Sequence, residues 1–419
     1  MSAPSKTGPT AQGRPRVVLV GVAGYGARHL STLTQLHEAK RIELAALVDS
    51  RFAQARGRHE AVSGFREFTD LHVALEAVNP DSVLVATPPH THLDLAEAVL
   101  QHGSSLYLEK PPVPLLQDLE TLETHVRPGQ RVEVGFQLAR QTLEAAMQVW
   151  SSDVLGEVHR ITAHAALARG DTYYQRAPWA GRWFMDGQAV FDGPLFNPCA
   201  HILHAALLAT RMVYTDWRPR TLSAECYSVR DLDGDDLIAV RLEPDGAGPS
   251  LVATATTAAD EVLEPAITLH GTSGEVTIRH GDGQATLRTQ GREATLPAPT
   301  GMPNAVESAV TAPHGEPDEL LTLTAVRPYV QLVNAIVEAC GAPHRLSEHR
   351  RRTVRDGDTF AYLPGVTAAI RRVVARGKLF FDNHESWAAP PARASMVGYA
   401  RMTHPSLPTQ AILESEPRA

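Results

Sequence analysis

The chain has 419 residues, of which 43% are hydrophobic and 21% are charged, and its formal net charge at pH 7 is -8. This composition is typical of a globular protein of two domains and excludes a largely disordered chain. The negative charge gives no support for a nucleic-acid or anionic-membrane partner, and the sequence has no apolar run of transmembrane length.

Three local features indicate the cellular compartment and the class of binding partner. Cys199, Cys226 and Cys340 are far apart and odd in number, which favours a reducing cytoplasm over a disulfide framework. Residues 1–14 lack the apolar core of a signal peptide and are predicted to be a disordered lead-in. Residues 349–352, His-Arg-Arg-Arg, are interpreted as a solvated helix end rather than a phosphate-binding track.

The first third of the chain alternates short apolar strands with helical patterns. Leu30, Leu33 and Leu36 recur at helical spacing after the first strand. Strands are predicted at residues 17–20, 42–48, 82–86, 106–108 and 132–134. This alternation predicts an α/β fold over residues 15–138, with a doubly wound parallel sheet of the Rossmann type and helices on both faces.

After about residue 140 the strands follow one another closely. They are predicted at residues 158–168, 221–228, 237–242, 251–256, 266–270 and 275–279, with helices at 140–150, 198–210, 318–340 and 359–375. These elements predict an α+β domain over residues 139–389 that carries a large, mostly antiparallel, open sheet. Residues 390–419 are predicted to be a tail that is loose or wraps a neighbour.

A glycine-rich turn follows the first strand. It reads Gly21-Val22-Ala23-Gly24-Tyr25-Gly26, a variant of the dinucleotide-binding fingerprint with alanine at one usual glycine position. In the fingerprint, the glycines permit a tight turn, close approach of the backbone to a pyrophosphate, and close packing of helix on strand. Such glycines could also be ordinary turn residues, but the strand before them and the helix after them favour a dinucleotide site.

The end of the second strand bears on the choice of cofactor. Asp49 would accept hydrogen bonds from the adenosine ribose hydroxyls, and its charge would repel a 2′-phosphate. Asp49, with Ser50 beside it, therefore favours NAD. Arg51 could instead pair with a 2′-phosphate, so NADP stays open.

Two later segments carry a family resemblance. Ala86-Thr87-Pro88-Pro89-His90-Thr91-His92 and Glu109-Lys110-Pro111 resemble the paired signatures of the glucose–fructose oxidoreductase/inositol dehydrogenase (Gfo/Idh/MocA) family over the first 140 residues. The resemblance implies an NAD(P)-dependent oxidoreductase that forms a homodimer or homotetramer, with a cis bond before Pro111. It also implies a group of residues on the nicotinamide side, namely Thr87, Pro88, Pro89, His92, Glu109 and Lys110.

Lys110 can also be interpreted without the resemblance. It follows a strand at the sheet edge where doubly wound sheets bind ligands. A partly buried lysine there can donate to a substrate oxygen, and desolvation can lower its pKa towards a range useful for proton transfer. The alternative is a surface lysine paired with Glu109.

Residues 193–204 resemble the family segment in which an Asp and a His, four residues apart, face the substrate. His201 matches the His, whereas Asn197 stands at the Asp position, and His204 stands where many relatives have Asp. We predict that His201 is the acid/base with an apparent pKa not far from about 6.5, and that Lys110 polarises the reacting oxygen. Asn197 would position a hydroxyl, and Asn197→Asp is expected to raise the His201 pKa.

Each of these residues has an alternative role. Asn197, followed by Pro198, could simply cap a helix. His201 and His204 could be hydrogen-bonded core histidines. Cys199 with the two histidines could suggest a metal site, but no fourth ligand is apparent and no metal is expected.

Three further residues, Gln137, Arg140 and Trp183, are predicted to contact the substrate. Arg140 lies near the predicted domain junction, where it could instead only start a helix. Trp183 ends a loop, residues 169–183, whose aromatic and polar side chains suit a carbohydrate face or, equally, an oligomer interface.

The predicted function is hydride transfer between NAD(P) and a ring hydroxyl or ketone of a sugar, aminosugar or cyclitol bound between the domains. Two alternatives stay open. One is a redox-neutral enzyme that uses transient oxidation for elimination, epimerisation or glycoside cleavage. The other is a non-catalytic NAD(P)-binding sensor.

Overall fold

The computed structural model describes residues 13–52, 64–302 and 304–403. Residues 1–12 of the predicted lead-in and residues 404–419 of the predicted tail lie outside these ranges. The described residues form two compact units. The first is drawn from Met1–Glu109, His125–Glu133 and Pro303–Asp318, and the second from Lys110–Thr124, Val134–Met302 and Glu319–Ala419.

These units differ from the predicted domain bounds because a late segment of the chain joins the first unit. The Arg131 guanidinium donates to the carbonyl oxygens of Ser308 and Ala312, each at 3.2 Å. The Asp318 N–H donates to the carboxylate of Glu133 at 2.6 Å. Contacts between residues this far apart along the chain leave no local sequence pattern from which the boundary could be predicted.

The first unit is built on the predicted parallel sheet. Its strands run in the order β3-β2-β1-β4-β5-β6, and the pairings of β1, β2, β3, β4 and β5 are parallel. In the described residues these strands are β1 (Arg16–Val20), β2 (Glu43–Val48), β3 (Glu67–Phe68), β4 (Ser82–Val85), β5 (Ser105–Leu108) and β6 (Val132–Val134). This is the strand order of a doubly wound dinucleotide-binding sheet, whose order reverses between β1 and β4.

The helices are placed by their apolar faces. In the described residues they are α1 (Gly26–Glu38), α2 (Leu71–Val78), α3 (His92–His102), α4 (Leu116–His125), α5 (Ala139–Trp150), α6 (Asp171–Tyr174), α7 (Ala200–Val213), α8 (Ala305–Thr311), α9 (Leu323–Cys340) and α10 (Val366–Arg376). Leu30, Leu33 and Leu36 of α1 are buried with Leu19 of β1 in the core of the first unit. Burial of a leucine side chain contributes about 1.5–3 kcal/mol, so these residues fix α1 against the sheet.

The second unit carries the predicted large, mostly antiparallel sheet. Its strands run in the order β16-β15-β14-β13-β7-β12-β11-β10-β17, and only the β7–β12 and β10–β17 pairings within this described sheet are parallel. The strands are β7 (Val158–Ala168), β10 (Pro219–Ser228), β11 (Leu237–Pro244), β12 (Ser250–Thr256), β13 (Ala258–Gly271), β14 (Gly274–Arg279), β15 (Ala285–Thr289), β16 (Arg292–Leu296) and β17 (His344–Arg345). A small hairpin, β8 (Phe184–Met185) with β9 (Gln188–Ala189), lies between β7 and β10 in sequence.

The prediction of one helix over residues 359–375 is wrong. Residues Asp358–Tyr362 form β19, and α10 begins only at Val366. Pro364 and Gly365 separate the two elements, and Gly365 has a φ of +78°, a backbone conformation that favours glycine. The apolar residues on both sides of this break were interpreted as one periodic pattern.

Two other interpretations of the second half are also corrected. The basic residues Arg351 and Arg352 do not end a helix, because they begin β18 (Arg351–Arg355), which pairs with β19 as a hairpin. The described part of the predicted tail is not loose, because Ala392–Ser395 form β20, which pairs with β10 of the same unit.

Candidate functional site

The glycine turn after β1 has the geometry that its sequence predicts. A Cβ atom on Gly21, whose φ is +83°, would lie 2.5 Å from the carbonyl oxygen of Ala86, and a Cβ on Gly26 would overlap the carbonyl oxygen of Gly21. Gly24, with a φ of +60°, has no heavy atom of the described chain within 4 Å of a Cβ placed on it. Gly21 and Gly26 therefore allow the turn to close, while Gly24 leaves an open surface between half-buried Ala23 and exposed Tyr25.

Asp49 lies beside this turn at the end of β2. One carboxylate oxygen accepts from the Val22 N–H at 3.1 Å, and the other accepts from the Arg51 N–H at 2.9 Å. The side chains of Ser50 and Arg51 are exposed. An open glycine surface with a carboxylate next to it fits an adenosine ribose and its pyrophosphate.

The residues after β4 and β5 are braced by hydrogen bonds inside the first unit. The Thr87 and Thr91 hydroxyls are 2.7 Å apart, and the ring of buried His92 is hydrogen-bonded to the Thr87 carbonyl oxygen at 2.8 Å. Glu109 is buried, and its carboxylate lies 2.7 Å from Nε2 of His29 on α1. His29 was not among the predicted residues, because it is 80 positions away from Glu109. The contact with His29 fixes the side chain of Glu109, the residue directly before Lys110.

Lys110, in the second unit, is held by Asn197. Its ammonium donates to the side-chain oxygen and to the backbone oxygen of Asn197, both at 2.9 Å. The Asn197 amide N–H in turn donates to Asp192 at 2.7 Å. An ammonium can only donate and an ionised carboxylate can only accept, so these two neighbours decide which end of the amide faces Lys110. The bond before Pro111 is cis, as the resemblance implies.

Asp192 is a site residue that the sequence analysis missed. It is 4% exposed, and its second carboxylate oxygen accepts from the Arg176 guanidinium at 2.8 Å and from the Gly181 N–H at 2.7 Å. The resemblance implies a carboxylate at position 197, next to Lys110. In this chain Asp192 supplies a carboxylate instead, and Asn197 lies between it and the lysine. Asp192 lies five positions before Asn197, a spacing that matches neither the helical nor the strand period.

The alternative that Asn197 only caps a helix is wrong. The helix α7 begins at Ala200, its N-cap residue is Cys199, and no side chain accepts a capping hydrogen bond there. Both ends of the Asn197 amide are instead engaged by Lys110 and Asp192.

His201 lies one turn further along, in an apolar environment that it shares with two other histidines. Its ring centroid is 5.5 Å from that of Phe136 and 5.6 Å from that of His280. Burial, assisted by the charge of Lys110 and by His280 and His204, lowers the pKa of His201 well below 6.5. The expected apparent pKa near 6.5 is therefore wrong, and His201 is neutral at pH 7.

His204 has the contacts of a core histidine. It is 1% exposed, its ring centroid is 4.3 Å from that of Phe136, and its Nε2 is 3.2 Å from the Leu320 carbonyl oxygen. Burial lowers the pKa of His204 to about 4. These contacts match the core-histidine alternative rather than the predicted catalytic role.

Comparison with known proteins agrees with the glycine turn and the sheet around it. Residues 15–148 match the family model described as "Oxidoreductase family, NAD-binding Rossmann fold" (Gfo/Idh/MocA). The match covers about a third of the chain, so the family likeness holds for these residues. They are accordingly similar to the NAD-binding Rossmann fold of this family, as the resemblance implies.

Two named dehydrogenases are similar to part of the chain. Inositol 2-dehydrogenase of Pseudarthrobacter chlorophenolicus is 33% identical over 29% of this chain and 36% of its own length. D-glucoside 3-dehydrogenase of Escherichia coli is 30% identical over 40% of this chain and 46% of its own length. The matches thus span less than half of these relatives.

A solved structure extends the likeness in fold. The WlbA dehydrogenase of Bordetella pertussis, solved in complex with NADH and UDP-GlcNAcA, aligns with a TM-score of 0.62. The alignment covers 77% of this chain and 95% of that chain at 22% identity. This likeness shows that the fold is shared.

The residues predicted to contact substrate differ in their surroundings. Gln137 and Arg140 are half-buried at the start of α5, where Arg140 lies 3.5 Å from Glu144. Trp183 is 2% exposed, and its indole N–H donates to Asp235 at 2.7 Å. Trp183 therefore packs in the interior and does not present a ring face on which a sugar could stack.

Metal-binding groups and membrane-spanning helices are both absent from the residues that the structure describes. They contain no group of three or more His, Cys, Asp or Glu side chains that could hold a metal ion, so Cys199, His201 and His204 do not form one. No helix in the described ranges has both the length and the apolar character needed to cross a bilayer.

Proposed function

We propose that this chain is an NAD-dependent oxidoreductase that acts on a ring hydroxyl or ketone of a sugar-like substrate. The observation that carries the proposal is the hydrogen-bonded series from half-buried Lys110 and Asn197 to buried Asp192. It begins at the residue after Glu109 of the first unit. The relatives' names, inositol 2-dehydrogenase and D-glucoside 3-dehydrogenase, support a cyclitol or sugar as the substrate class.

The cofactor would be held by residues of the first unit, and it supplies the acceptor or donor of the hydride. The residues that would hold it are Gly21, Ala23, Gly24, Tyr25, Gly26, Asp49, Ser50, Thr87, Pro88, Pro89, His92 and Glu109. We favour NAD over NADP because the Asp49 carboxylate is bonded to Val22 of the glycine turn, whereas the Arg51 side chain is exposed.

Residues of the second unit would form a hydrogen bond with the reacting substrate oxygen and transfer its proton. In this proposal the Lys110 ammonium donates to the reacting oxygen, while Asn197 orients the ammonium through two hydrogen bonds. During oxidation the hydroxyl proton passes to neutral His201, and during reduction it returns to the oxygen. Because burial disfavours the charged form of His201, its ring is unprotonated at neutral pH, which is the form that oxidation requires.

The proposal is tested with a panel of sugars, aminosugars and cyclitols, each supplied with NAD and separately with NADP. We expect reduced-nicotinamide absorbance to rise with at least one substrate, and NAD to be used in preference to NADP. Product formation without net NADH would instead support the redox-neutral alternative. Cofactor binding without any turnover would support the sensor alternative.

The pH dependence of oxidation tests the role of His201. A lowered pKa means that the neutral base persists to lower pH, so kcat/KM for oxidation should stay level from about pH 8 down to about pH 6. His201→Asn should lower kcat by about a hundredfold or more at every pH while the melting temperature stays close to that of the unaltered protein. An inflection near pH 6.5 that persists in His201→Asn would assign the titration to another group.

A further inference from the structure

Arg169 follows β7 in the second unit and carries a charge that the described residues do not balance. Its backbone is fixed, since its N–H donates to the Thr257 carbonyl oxygen at 3.0 Å and its carbonyl oxygen accepts from Arg230. Its side chain is half-buried, with the guanidinium carbon 5.3 Å from the ring centroid of Tyr173. The buried Nε has no hydrogen-bond acceptor among the described residues, and the guanidinium forms no ion pair with them.

Three buried carboxylates of the second unit are either paired with other arginines or largely uncharged. Arg176, which stacks on the same Tyr173 ring at 3.8 Å, is paired with Asp192 at 2.8 Å. Arg230 lies 3.5 Å from Asp236. A third acid, Asp235, is fully buried, and burial raises its pKa to about 8, so it carries little charge at neutral pH. None of the three therefore neutralises Arg169.

Contacts connect Arg169 with Lys110 through four residues. Arg169 and Arg176 both stack on Tyr173, and Arg176 is paired with Asp192. Asp192 accepts from Asn197, which accepts from the Lys110 ammonium. The buried thiol of Cys199, two residues after Asn197, is within electrostatic reach of both cations. Burial raises the pKa of Cys199 to about 12, while the charges of Arg169 and Lys110 act in the opposite direction. The unbalanced guanidinium is thus linked by a series of direct contacts to the lysine that would contact the reacting oxygen.

A desolvated donor without an acceptor destabilises a protein, and a partly buried charge adds to this cost. A bound anion would remove both penalties. The planar guanidinium matches the two oxygens of a carboxylate or phosphate, and its stacking on Tyr173 holds the plane in place.

We propose that Arg169 binds an anionic group of the substrate, so that the enzyme acts on an acidic or phosphorylated sugar in preference to a neutral one. This inference rests on the proposed function and narrows its substrate class. It makes Arg169 a specificity-determining residue that anchors the substrate while Lys110 contacts the reacting oxygen.

The test measures binding apart from turnover. Calorimetric titrations of the full chain saturated with NADH compare glucose, glucuronate and glucose 6-phosphate, so that the last two arms distinguish a carboxylate from a phosphate. We expect at least one acidic sugar to bind about tenfold or more tightly than glucose, and Arg169→Gln to remove this difference without changing glucose binding. Arg169→Lys should keep part of the difference, because it retains the charge but loses the planar fork.

Arg393→Gln, on exposed β20, is the matched control, since it removes the same charge and should leave the preference intact. Equal binding of acidic and neutral sugars, or a preference that survives in Arg169→Gln, would overturn the inference. Failure of the proposed function has a different signature: the anion preference would be present and depend on Arg169, but no sugar would be oxidised or reduced.

Discussion

Replacing Lys110 by alanine is expected to lower kcat by about a hundredfold or more while cofactor binding is retained. The ammonium is the group that would donate to the reacting oxygen, and alanine has no donor to replace it. Cofactor binding should persist because Gly21, Gly24 and Asp49, which would hold the dinucleotide, belong to the first unit and make no use of the lysine. Steady-state kinetics and calorimetric titration with NADH measure the two effects separately.

Lys378→Ala is the matched control for this experiment. Lys378 is an exposed lysine of the same unit, so its loss changes the net charge equally and should leave kcat unchanged. Turnover by Lys110→Ala at the rate of the unaltered protein would remove Lys110 from the mechanism.

The NAD-binding unit could be predicted from the sequence because its signals are local. Its strands are short and mostly apolar, and the glycine turn lies between β1 and α1. The Thr-Pro and Glu-Lys-Pro segments follow β4 and β5. Each signal lies within a few residues of the element that it places. The segment Pro303–Asp318 was not predicted there, because it joins this unit only through contacts such as those of Arg131 with Ser308.

The candidate site in the second unit was only half predictable. Lys110, Asn197 and His201 were found by resemblance, and the hydrogen bonds of Lys110 to Asn197 agree with that grouping. Asp192 and Arg169 were not found in this way. The sequence does not show that the Asp192 carboxylate accepts from the Asn197 amide, or that the Arg169 Nε has no acceptor among the described residues. The pKa of His201 was misjudged for a related reason, since burial depends on Phe136 and His280, which are distant in sequence.

The expectation that Asn197→Asp would raise the pKa of His201 and keep some activity also changes once Asp192 is known. The Asn197 nitrogen that the substitution replaces with oxygen lies 2.7 Å from a carboxylate oxygen of Asp192. Two carboxylates at this distance cannot both ionise without strong repulsion, so the pair should share a proton with a raised apparent pKa. Activity should therefore be lost as the pH rises through that pKa, by about tenfold or more at pH 8, and should be regained at lower pH.

Asp192→Asn should impair the site for a different reason. Arg176 loses its carboxylate partner, and the Asn197 amide loses the acceptor that forces its oxygen towards Lys110. Removing one charged partner of a buried hydrogen bond costs about 1.5–3 kcal/mol, which corresponds to a loss of about tenfold to a hundredfold in kcat/KM. This loss should not depend on pH in the way that the Asn197→Asp defect does.

Combining the two substitutions should restore most of the activity. In the double variant the carboxylate introduced at position 197 accepts from Lys110. The amide introduced at position 192 donates to that carboxylate while its oxygen accepts from Arg176 and Gly181, so every donor again faces an acceptor. We expect kcat/KM within about fivefold of the unaltered protein, no loss at alkaline pH, and a coupling energy of about 1.4 kcal/mol or more in the double-mutant cycle. Additive losses in the double variant would show that the only role of Asp192 is to stabilise the fold. With a purely structural role, there is no reason for Asn197→Asp to correct the defect of Asp192→Asn.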